Sequence, residues 1–333
     1  MYQAPIKWGI LGCGKIAEMF VRSMSAVADG EIITCAARQL PRAKEFANDH
    51  AIRHCSDSYE QLATHPEIDA VYIATTHNAH YENVFLCLRA GKHVLCEKPI
   101  TVNAEQANKL YQYAKQRGLL LMEAVWTRFL PAIRALQGVL QNGDIGNILS
   151  LSATFAISGE FSEKHRLKDP NTAGGSLLDL GIYPITMAYL TFGCSPLRMQ
   201  SSSVIGTTGV DERAYMLFDY EGGKQATLCC SFSHSLPTEA IIGGTKGYIR
   251  VPNFLGAKSF VVHMQNGESF EHEHSYNIGE NFKFEIEEFH YCLQAELLES
   301  SIYPTNDSLS VMKTMDELRT HWHLTYSPSI EAI

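Results

Sequence analysis

The feature that most constrains the fold is a glycine-rich turn close to the start of the chain. An apolar run over residues 6–11 leads directly into Gly12-Cys13-Gly14, and apolar side chains then recur at helical spacing up to residue 27. A short buried strand that turns at once into an amphipathic helix is typical of the first unit of a parallel βαβ fold.

The next hundred residues repeat this alternation. Apolar runs of four to seven residues fall at 31–37, 69–74, 93–96 and 119–122, with helical patterns between them. Near-continuous apolar strands separated by helices indicate a parallel sheet that is covered on both faces. We therefore predict an N-terminal α/β domain with a doubly wound Rossmann sheet over residues 1–124.

Residues 125–333 have a different pattern. Long alternating runs at 148–157, 200–205, 213–220 and 224–234, one apolar helix at 176–192 and two closing helices predict a large, mostly antiparallel sheet with helices on one face. This domain would carry the substrate site. We also expect a homodimer formed through this sheet, because one period-two set of positions is strongly apolar and is assigned to the uncovered face. That set is Met216, Phe218, Tyr220, Leu228, Cys230 and Phe232.

The glycine-rich turn predicts a dinucleotide site. In Gly12-x-Gly14-x-x-Ala17, the first glycine permits the turn, the second admits a pyrophosphate and the alanine allows close packing of helix on strand. The second strand ends in Ala-Ala-Arg38, with Arg42 one helical turn further on and no acid to hold a ribose 2′-hydroxyl. Two cations at this position favour the 2′-phosphate of NADP, with NAD as the alternative cofactor.

Two loops follow parallel strands at the edge where ligands bind in open α/β sheets. One contains Thr75, His77 and His80, and the other contains Glu97-Lys98-Pro99. In the second half, Asp179 and Tyr183 are four residues apart, so they share one face of the apolar helix. Pro184 directly after Tyr183 should disturb the regular helix there.

Composition excludes several classes of function. The net charge of −9 disfavours nucleic acid and anionic membrane surfaces as partners, and no apolar run is long enough for a membrane span. Nine scattered cysteines without a Cys-x-x-Cys pair indicate reduced thiols in a cytoplasmic protein. The fourteen histidines show no spacing typical of a metal site, so we predict no metal.

The combined motifs resemble the Gfo/Idh/MocA oxidoreductase family over essentially the whole chain. The motifs are Gly-Cys-Gly-Lys-Ile-Ala, Glu97-Lys98-Pro99, Asp179-x-Gly181-x-Tyr183 and Gly244-Thr-Lys-Gly247. They look most like a dimeric, NADP-linked branch of the family that oxidises trans-dihydrodiols and D-xylose. The segment 252–258 departs from that branch because it lacks a tryptophan, so a sugar or polyol is at least as strong an expectation as an aromatic diol.

The resemblance implies a catalytic group of Lys98, Asp179 and Tyr183, with Trp126 and Phe155 lining an aromatic substrate pocket and His80 near the nicotinamide or substrate. The full set of residues assigned to the cofactor is Gly12, Gly14, Lys15, Ile16, Ala17, Arg38, Arg42, Thr75, His77, His80, Glu97 and Lys98. Tyr183 would exchange the proton of a carbinol while hydride passes between substrate and cofactor, and Lys98 would stabilise the alkoxide.

Two alternatives remain at this level. The first is a nucleotide-sensing regulator of the same fold, which would not need the Lys98, Asp179 and Tyr183 set. The second is a reductase of an imine or another small-molecule carbonyl, for which a single tyrosine acid would suffice. Fold analogy alone does not choose among substrates.

Overall fold

The structure is a computed structural model and describes residues 5–333. Its first sheet is entirely parallel, with strand order 3-2-1-4-5-6, which confirms the predicted doubly wound domain. The strands are β1 (Ile6–Leu11), β2 (Gly30–Ala36), β3 (His54–Ser56), β4 (Ala70–Ile73), β5 (His93–Glu97) and β6 (Leu121–Ala124). Strand β3 was not predicted, because three residues are too few for a pattern to be recognised.

Five helices connect these strands. They are α1 (Lys15–Met24), α2 (Leu40–Asp49), α3 (Tyr59–Ala63), α4 (His80–Arg89) and α5 (Ala104–Arg117). Their ends follow local chemistry: the Ser58 hydroxyl accepts from the Gln61 amide at 3.1 Å, and Asn103 accepts from the Gln106 amide at 2.9 Å. Helix α5 ends at Gly118 in the left-handed conformation.

The second sheet has eight strands in the order 14-13-12-11-7-10-9-8, and every neighbouring pair is antiparallel except 7 with 10. The strands are β7 (Ile148–Ala156), β8 (Arg198–Ile205), β9 (Asp211–Asp219), β10 (Gln225–Ser231), β11 (Glu239–Gly244), β12 (Gly247–Pro252), β13 (Ser259–Met264) and β14 (Ser269–Glu273). The remaining helices are α6 (Pro131–Asn142), α7 (Ile182–Phe192), α8 (Lys283–Gln294), α9 (Thr305–His321) and α10 (Pro328–Glu331).

The predicted assignment of the two faces of this sheet is wrong. Met216, Phe218, Tyr220, Leu228, Cys230 and Phe232 are at most 5% exposed, so they lie on the face that the chain itself covers. The outer face carries the opposite set of alternating positions, including Ser152, Tyr215, Thr227 and Ile241. Periodicity groups side chains by face, but it does not say which face the helices cover.

The chain forms two compact units. One runs to Trp126 and also contains Asn277–Thr305, and the other comprises Thr127–Tyr276 and Asn306–Ala332. Aromatic packing explains why α8 belongs to the first unit. The Trp8 indole on β1 lies 4.8 Å from the Phe289 ring and donates to His290 Nε2 at 3.0 Å. A single boundary at residue 124 does not describe this arrangement, because the chain returns to the first unit with α8.

Candidate active site

The glycine-rich turn of the first unit is shaped for a phosphate group. Gly12 has φ +102°, and a Cβ there would lie 2.7 Å from the Ala74 carbonyl oxygen, so only glycine fits. A Cβ at Gly14 would meet nothing within 4 Å. Gly14 is also the N-cap of α1, and no side chain caps that helix end. The open space and the uncapped amides fit the pyrophosphate of a dinucleotide, while Lys15, Ile16 and Ala17 form the first turn of the helix.

The two cations predicted for the 2′-phosphate have different surroundings. Arg38 follows β2 and is exposed. Arg42 is exposed as well, but its Nε donates to the Cys13 carbonyl at 2.9 Å, so it is tied to the glycine-rich turn. A hydrogen bond with Cys35 is the main cause that lowers the pKa of the Cys13 thiol, and the Arg42 charge lowers it further.

A buried histidine connects the two loops that follow β4 and β5. The His80 ring is fully buried, with Nδ1 2.7 Å from the Pro99 carbonyl and Nε2 3.1 Å from the Thr75 carbonyl. Burial lowers the pKa of His80 to about 4, and the neighbouring His77 adds to that effect. A neutral ring has a single N–H, so it donates to one of these two carbonyls at a time while the ring lies between the two loops.

Glu97 is buried next to the predicted catalytic lysine. Its carboxylate accepts from the Tyr72 hydroxyl at 2.5 Å and from the Lys98 backbone amide at 3.2 Å. Glu285 on α8 is fully buried nearby, and burial together with the Glu97 charge raises its pKa well above the usual value. Lys98 itself is half-buried, and the Lys98–Pro99 peptide bond is cis. Trp126, assigned to the substrate pocket, is 5.8 Å from the Phe282 ring in this unit.

In the second unit, the predicted Asp and Tyr lie on one irregular helix. A π-helical turn, Leu177–Gly181, contains Asp179 and leads into α7, which contains Tyr183 and Pro184. The proline cannot donate to the carbonyl one turn earlier, which accounts for the irregular turn at this position. The Tyr183 ring packs edge-on against Phe155 of β7 at 5.7 Å.

Asp179 has a partner that was not predicted from the sequence. The Arg166 guanidinium binds its carboxylate in bidentate fashion, with Nη1 to Oδ1 at 3.0 Å and Nη2 to Oδ2 at 3.2 Å. The Asp179 side chain is 7% exposed, whereas that of Arg166 is 49% exposed. The arginine thus compensates a buried charge and keeps one side towards solvent. No local motif links residues 166 and 179, so the sequence offered no signal for this pair.

One group of three side chains in the described part of the chain has metal-ligand chemistry. His54, His65 and Glu67 place ligand atoms within 4.8 Å of one another. The Arg53 guanidinium lies 3.7 Å from the Glu67 carboxylate, so a cation already accompanies it. No helix within residues 5–333 is both long enough and apolar enough to cross a membrane.

A parallel doubly wound sheet with a glycine turn open to phosphate defines a Rossmann-type, dinucleotide-binding class of protein. A family model described as an oxidoreductase family with an NAD-binding Rossmann fold matches residues 6–125, and the GFO/IDH/MocA C-terminal domain matches residues 133–250. The chain belongs to the Gfo/Idh/MocA family, and it is an NAD(P)-dependent oxidoreductase that acts on hydroxyl groups.

Curated relatives extend along almost the whole chain. Trans-1,2-dihydrobenzene-1,2-diol dehydrogenase from Mus musculus is 37% identical, covering 96% of this chain and 98% of its own length. The Xenopus tropicalis enzyme of that name is 34% identical, covering 96% and 99%.

Among solved structures, a 3-ketoreductase from Actinomadura kijaniata, in complex with NADP and TDP-benzene, is 28% identical. Its TM-score is 0.84, and the match covers 95% of this chain and 97% of that chain. Mutants of that enzyme have also been solved, one with a lysine replaced by alanine and one with a tyrosine replaced by phenylalanine.

Proposed function

We propose that the protein transfers a hydride between NADP and a secondary carbinol carbon of a sugar, polyol or trans-dihydrodiol. The observation that carries this proposal is the pair Asp179 and Tyr183 on one buried helix, in a chain similar over 96% of its length to enzymes named dihydrodiol dehydrogenases. The Lys98 and Tyr183 types also match the two residue types replaced in the Actinomadura kijaniata mutants.

NADP is the proposed cofactor, with NAD as the weaker alternative. The turn around Gly14 leaves room for the pyrophosphate, and exposed Arg38 follows the second strand where an acid would favour NAD. A guanidinium at that position forms charge-assisted hydrogen bonds with a 2′-phosphate. The other proposed cofactor residues are those predicted from the sequence. Among them, the His80 ring lies between the two loops that follow β4 and β5.

In the proposed mechanism, the nicotinamide supplies hydride chemistry and the protein handles the proton. The Tyr183 phenolate oxygen accepts the carbinol proton during oxidation, and the resulting hydroxyl donates that proton back during reduction. An ordinary phenol titrates near pH 10, so a positive charge is needed to stabilise the phenolate, and Lys98 supplies it. Asp179, held by Arg166, orients a substrate hydroxyl, and Trp126 and Phe155 provide apolar walls that exclude water.

A substrate screen tests the proposal. The reduction of NADP is followed by the absorbance of the reduced cofactor, with pentoses, hexoses, inositols and trans-dihydrodiols as substrates. The same assays are repeated with NAD. We expect turnover with at least one sugar or diol and a higher kcat/KM with NADP. Tight NADP binding without turnover on any carbinol would instead identify a nucleotide-sensing regulator, and turnover only on an imine would identify a different reductase.

We further propose a homodimer that forms across the outer face of the second sheet. A row of paired residues crosses this face from Leu217 through Thr227, Ser152 and Ile241 to Arg250. Tyr215 is 51% exposed there, and a groove of about 510 Å³ lies over β7, β8, β9 and β10. A second copy would bury these groups isologously about a two-fold axis.

Light scattering at micromolar concentration tests the dimer. A mass near twice 37.1 kDa supports it, and a mass near 37.1 kDa rejects it. Tyr215→Glu combined with Ile241→Glu should shift the mass towards the monomer, whereas Leu298→Glu, at an exposed position in the other unit, should not.

A cytoplasmic location is also proposed, because all nine cysteines are free thiols, as a reducing compartment would keep them.

A further inference from the structure

The start of the irregular helix is held by a buried carboxylate from a distant strand. Asp211, the first residue of β9, is fully buried. Its Oδ2 accepts from the Ser176 hydroxyl at 2.7 Å and from the Leu177 backbone amide at 2.6 Å. Leu177 is the first residue of the π-helical turn that contains Asp179. The contact therefore joins two segments that are 34 residues apart.

This carboxylate takes the part that a local cap plays in most helices. The first amides of a helix have no intrahelical acceptor, and a side chain at the N-cap usually supplies one. Ser176 occupies the N-cap here, but its backbone is helical and its side chain makes no capping bond. Its hydroxyl donates to Asp211 instead, so the carboxylate accepts from this hydroxyl and from the Leu177 amide at the positive end of the turn.

The two glycines before the turn are fitted to the same carboxylate. Gly175 has φ +121°, and a Cβ there would lie 2.2 Å from Asp211 Oδ1. A Cβ at Gly174 would lie 2.6 Å from the carbonyl oxygen of Arg166, the residue that binds Asp179. Asp211, the glycine pair and the Arg166 segment thus pack as one cluster around the beginning of the helix.

We propose that Asp211 is a positioning residue for the reaction: by fixing the first amide of the turn, it sets the placement of Asp179 and Tyr183. The inference rests on the proposed function, because it assigns those two residues to substrate. Asp211 acts through the helix and does not itself touch the reacting atoms.

The charge state of Asp211 gives this role a pH dependence. Burial raises the pKa of Asp211 to about 6, although the hydrogen bonds from Ser176 and Leu177 oppose the rise. Cys230 on β10 and Tyr326 near the C-terminus face it, and the pKa of each is raised by burial first and by the Asp211 charge second. Both are therefore neutral near pH 7. The adjacent Glu212 is paired with Lys168 at 3.0 Å.

The sign of the effect on stability is opposite to that on activity. Because the folded pKa is raised, the stability contribution of this group is greatest below pH 4 and is lost as the pH rises through 6. Below pH 6, however, the protonated acid is a weaker acceptor for the Leu177 amide. At pH 8 the wild-type carboxylate is a buried charge, so Asp211→Asn should keep or raise the thermal midpoint there. Turnover should fall, because the neutral amide is a weaker acceptor than the carboxylate for the Leu177 amide.

The experiment compares wild type with Asp211→Asn between pH 5 and pH 9. We expect kcat at pH 8 to fall roughly ten- to hundredfold, as for a small misplacement of reacting groups, with the KM for NADP unchanged. The wild type should lose kcat below pH 6, and the variant should lack that limb. Tyr326→Phe removes a hydrogen bond to the Gly174 carbonyl without changing the charge, so it should lower the thermal midpoint and retain the limb.

Hydrogen exchange at residues 174–183 supplies a reading that does not depend on activity. Faster exchange there in Asp211→Asn, with an undiminished thermal midpoint, is the expected result even if no carbinol is turned over. Unchanged exchange, or a variant that keeps full kcat and the same acid limb, would overturn the role of Asp211. An inactive wild type with faster exchange in the variant would reject the proposed function alone.

Discussion

Two glycine-rich turns lead into helices, one in each unit, and they use glycine for different reasons. At the first turn, a Cβ on Gly14 would meet nothing within 4 Å, so the glycine leaves space that the protein does not fill. At the second turn, a Cβ on Gly175 would overlap Asp211 Oδ1 at 2.2 Å, so the space is already filled by a buried side chain. One glycine makes room for a ligand, and the other makes room for the protein's own anion.

The difference decides what each turn contributes. A helix end without a side-chain cap, as at α1, keeps its amides available for an external phosphate. At the second turn, Asp211 of β9 already accepts from the first amide of the helix. This helix therefore presents side chains such as Asp179 and Tyr183 rather than backbone donors. The comparison assigns ligand binding to the first turn and the placement of proton-transfer groups to the second.

The largest expected effect is on folding, for Gly175→Ala. Alanine would have to adopt a left-handed backbone conformation, and its methyl group would overlap a buried carboxylate. Together these effects should lower the free energy of unfolding by roughly 2–5 kcal/mol. Chemical denaturation of the purified variant measures this. Gly193→Ala is the matched control, since its φ of +70° gives backbone strain without any neighbour within 4 Å. An equal loss for the two variants would mean that Asp211 does not fill the space.

Gly14→Ala should have the opposite profile. Its φ of −110° suits alanine and there is open space for the methyl, so the unfolding free energy should change by less than about 0.5 kcal/mol. Cofactor affinity should fall by roughly ten- to hundredfold, because lost phosphate contacts are worth about 1.5–3 kcal/mol. Titration of protein fluorescence with NADP measures the affinity, and unaltered binding would remove Gly14 from the phosphate site.

The smallest effect should be the discrimination between the two arginines. Arg38→Ala should weaken NADP by about 1–3 kcal/mol and leave NAD almost unchanged, since only NADP carries the 2′-phosphate. Arg42→Ala should weaken both cofactors, because Arg42 also holds the Cys13 carbonyl of the turn. Equal losses of both cofactors in Arg38→Ala would refute its assignment to the 2′-phosphate.

Local patterns were sufficient for the doubly wound sheet, except its short strand β3, and for the first turn. Strand β1, the Gly12 and Gly14 positions and the caps at Ser58 and Asn103 depend on neighbours in sequence, so the printed chain contains their whole signal. The second turn depends on residues brought together by the sheet. Neither Asp211 nor Arg166 belongs to a motif, and their partners lie 34 and 13 residues away, respectively.

The error about the second sheet has a similar physical origin. Alternation correctly grouped Met216, Phe218 and Leu228, but their assignment to the uncovered face was wrong because it requires knowing where α7 packs. The return of α8 to the first unit, through Trp8 and His290, is likewise a contact between residues 282 positions apart. Long-range packing of this kind leaves no periodic trace in the sequence.

The most direct test of the proposed chemistry is the turnover of Tyr183→Phe on the best substrate from the screen. The variant should keep NADP affinity and thermal midpoint, since the Tyr183 ring packs against Phe155 and would be retained in phenylalanine. Its kcat should fall by roughly 10²–10⁴-fold, the usual contribution of a general acid–base group. A variant with wild-type kcat would contradict the assignment of proton transfer to Tyr183.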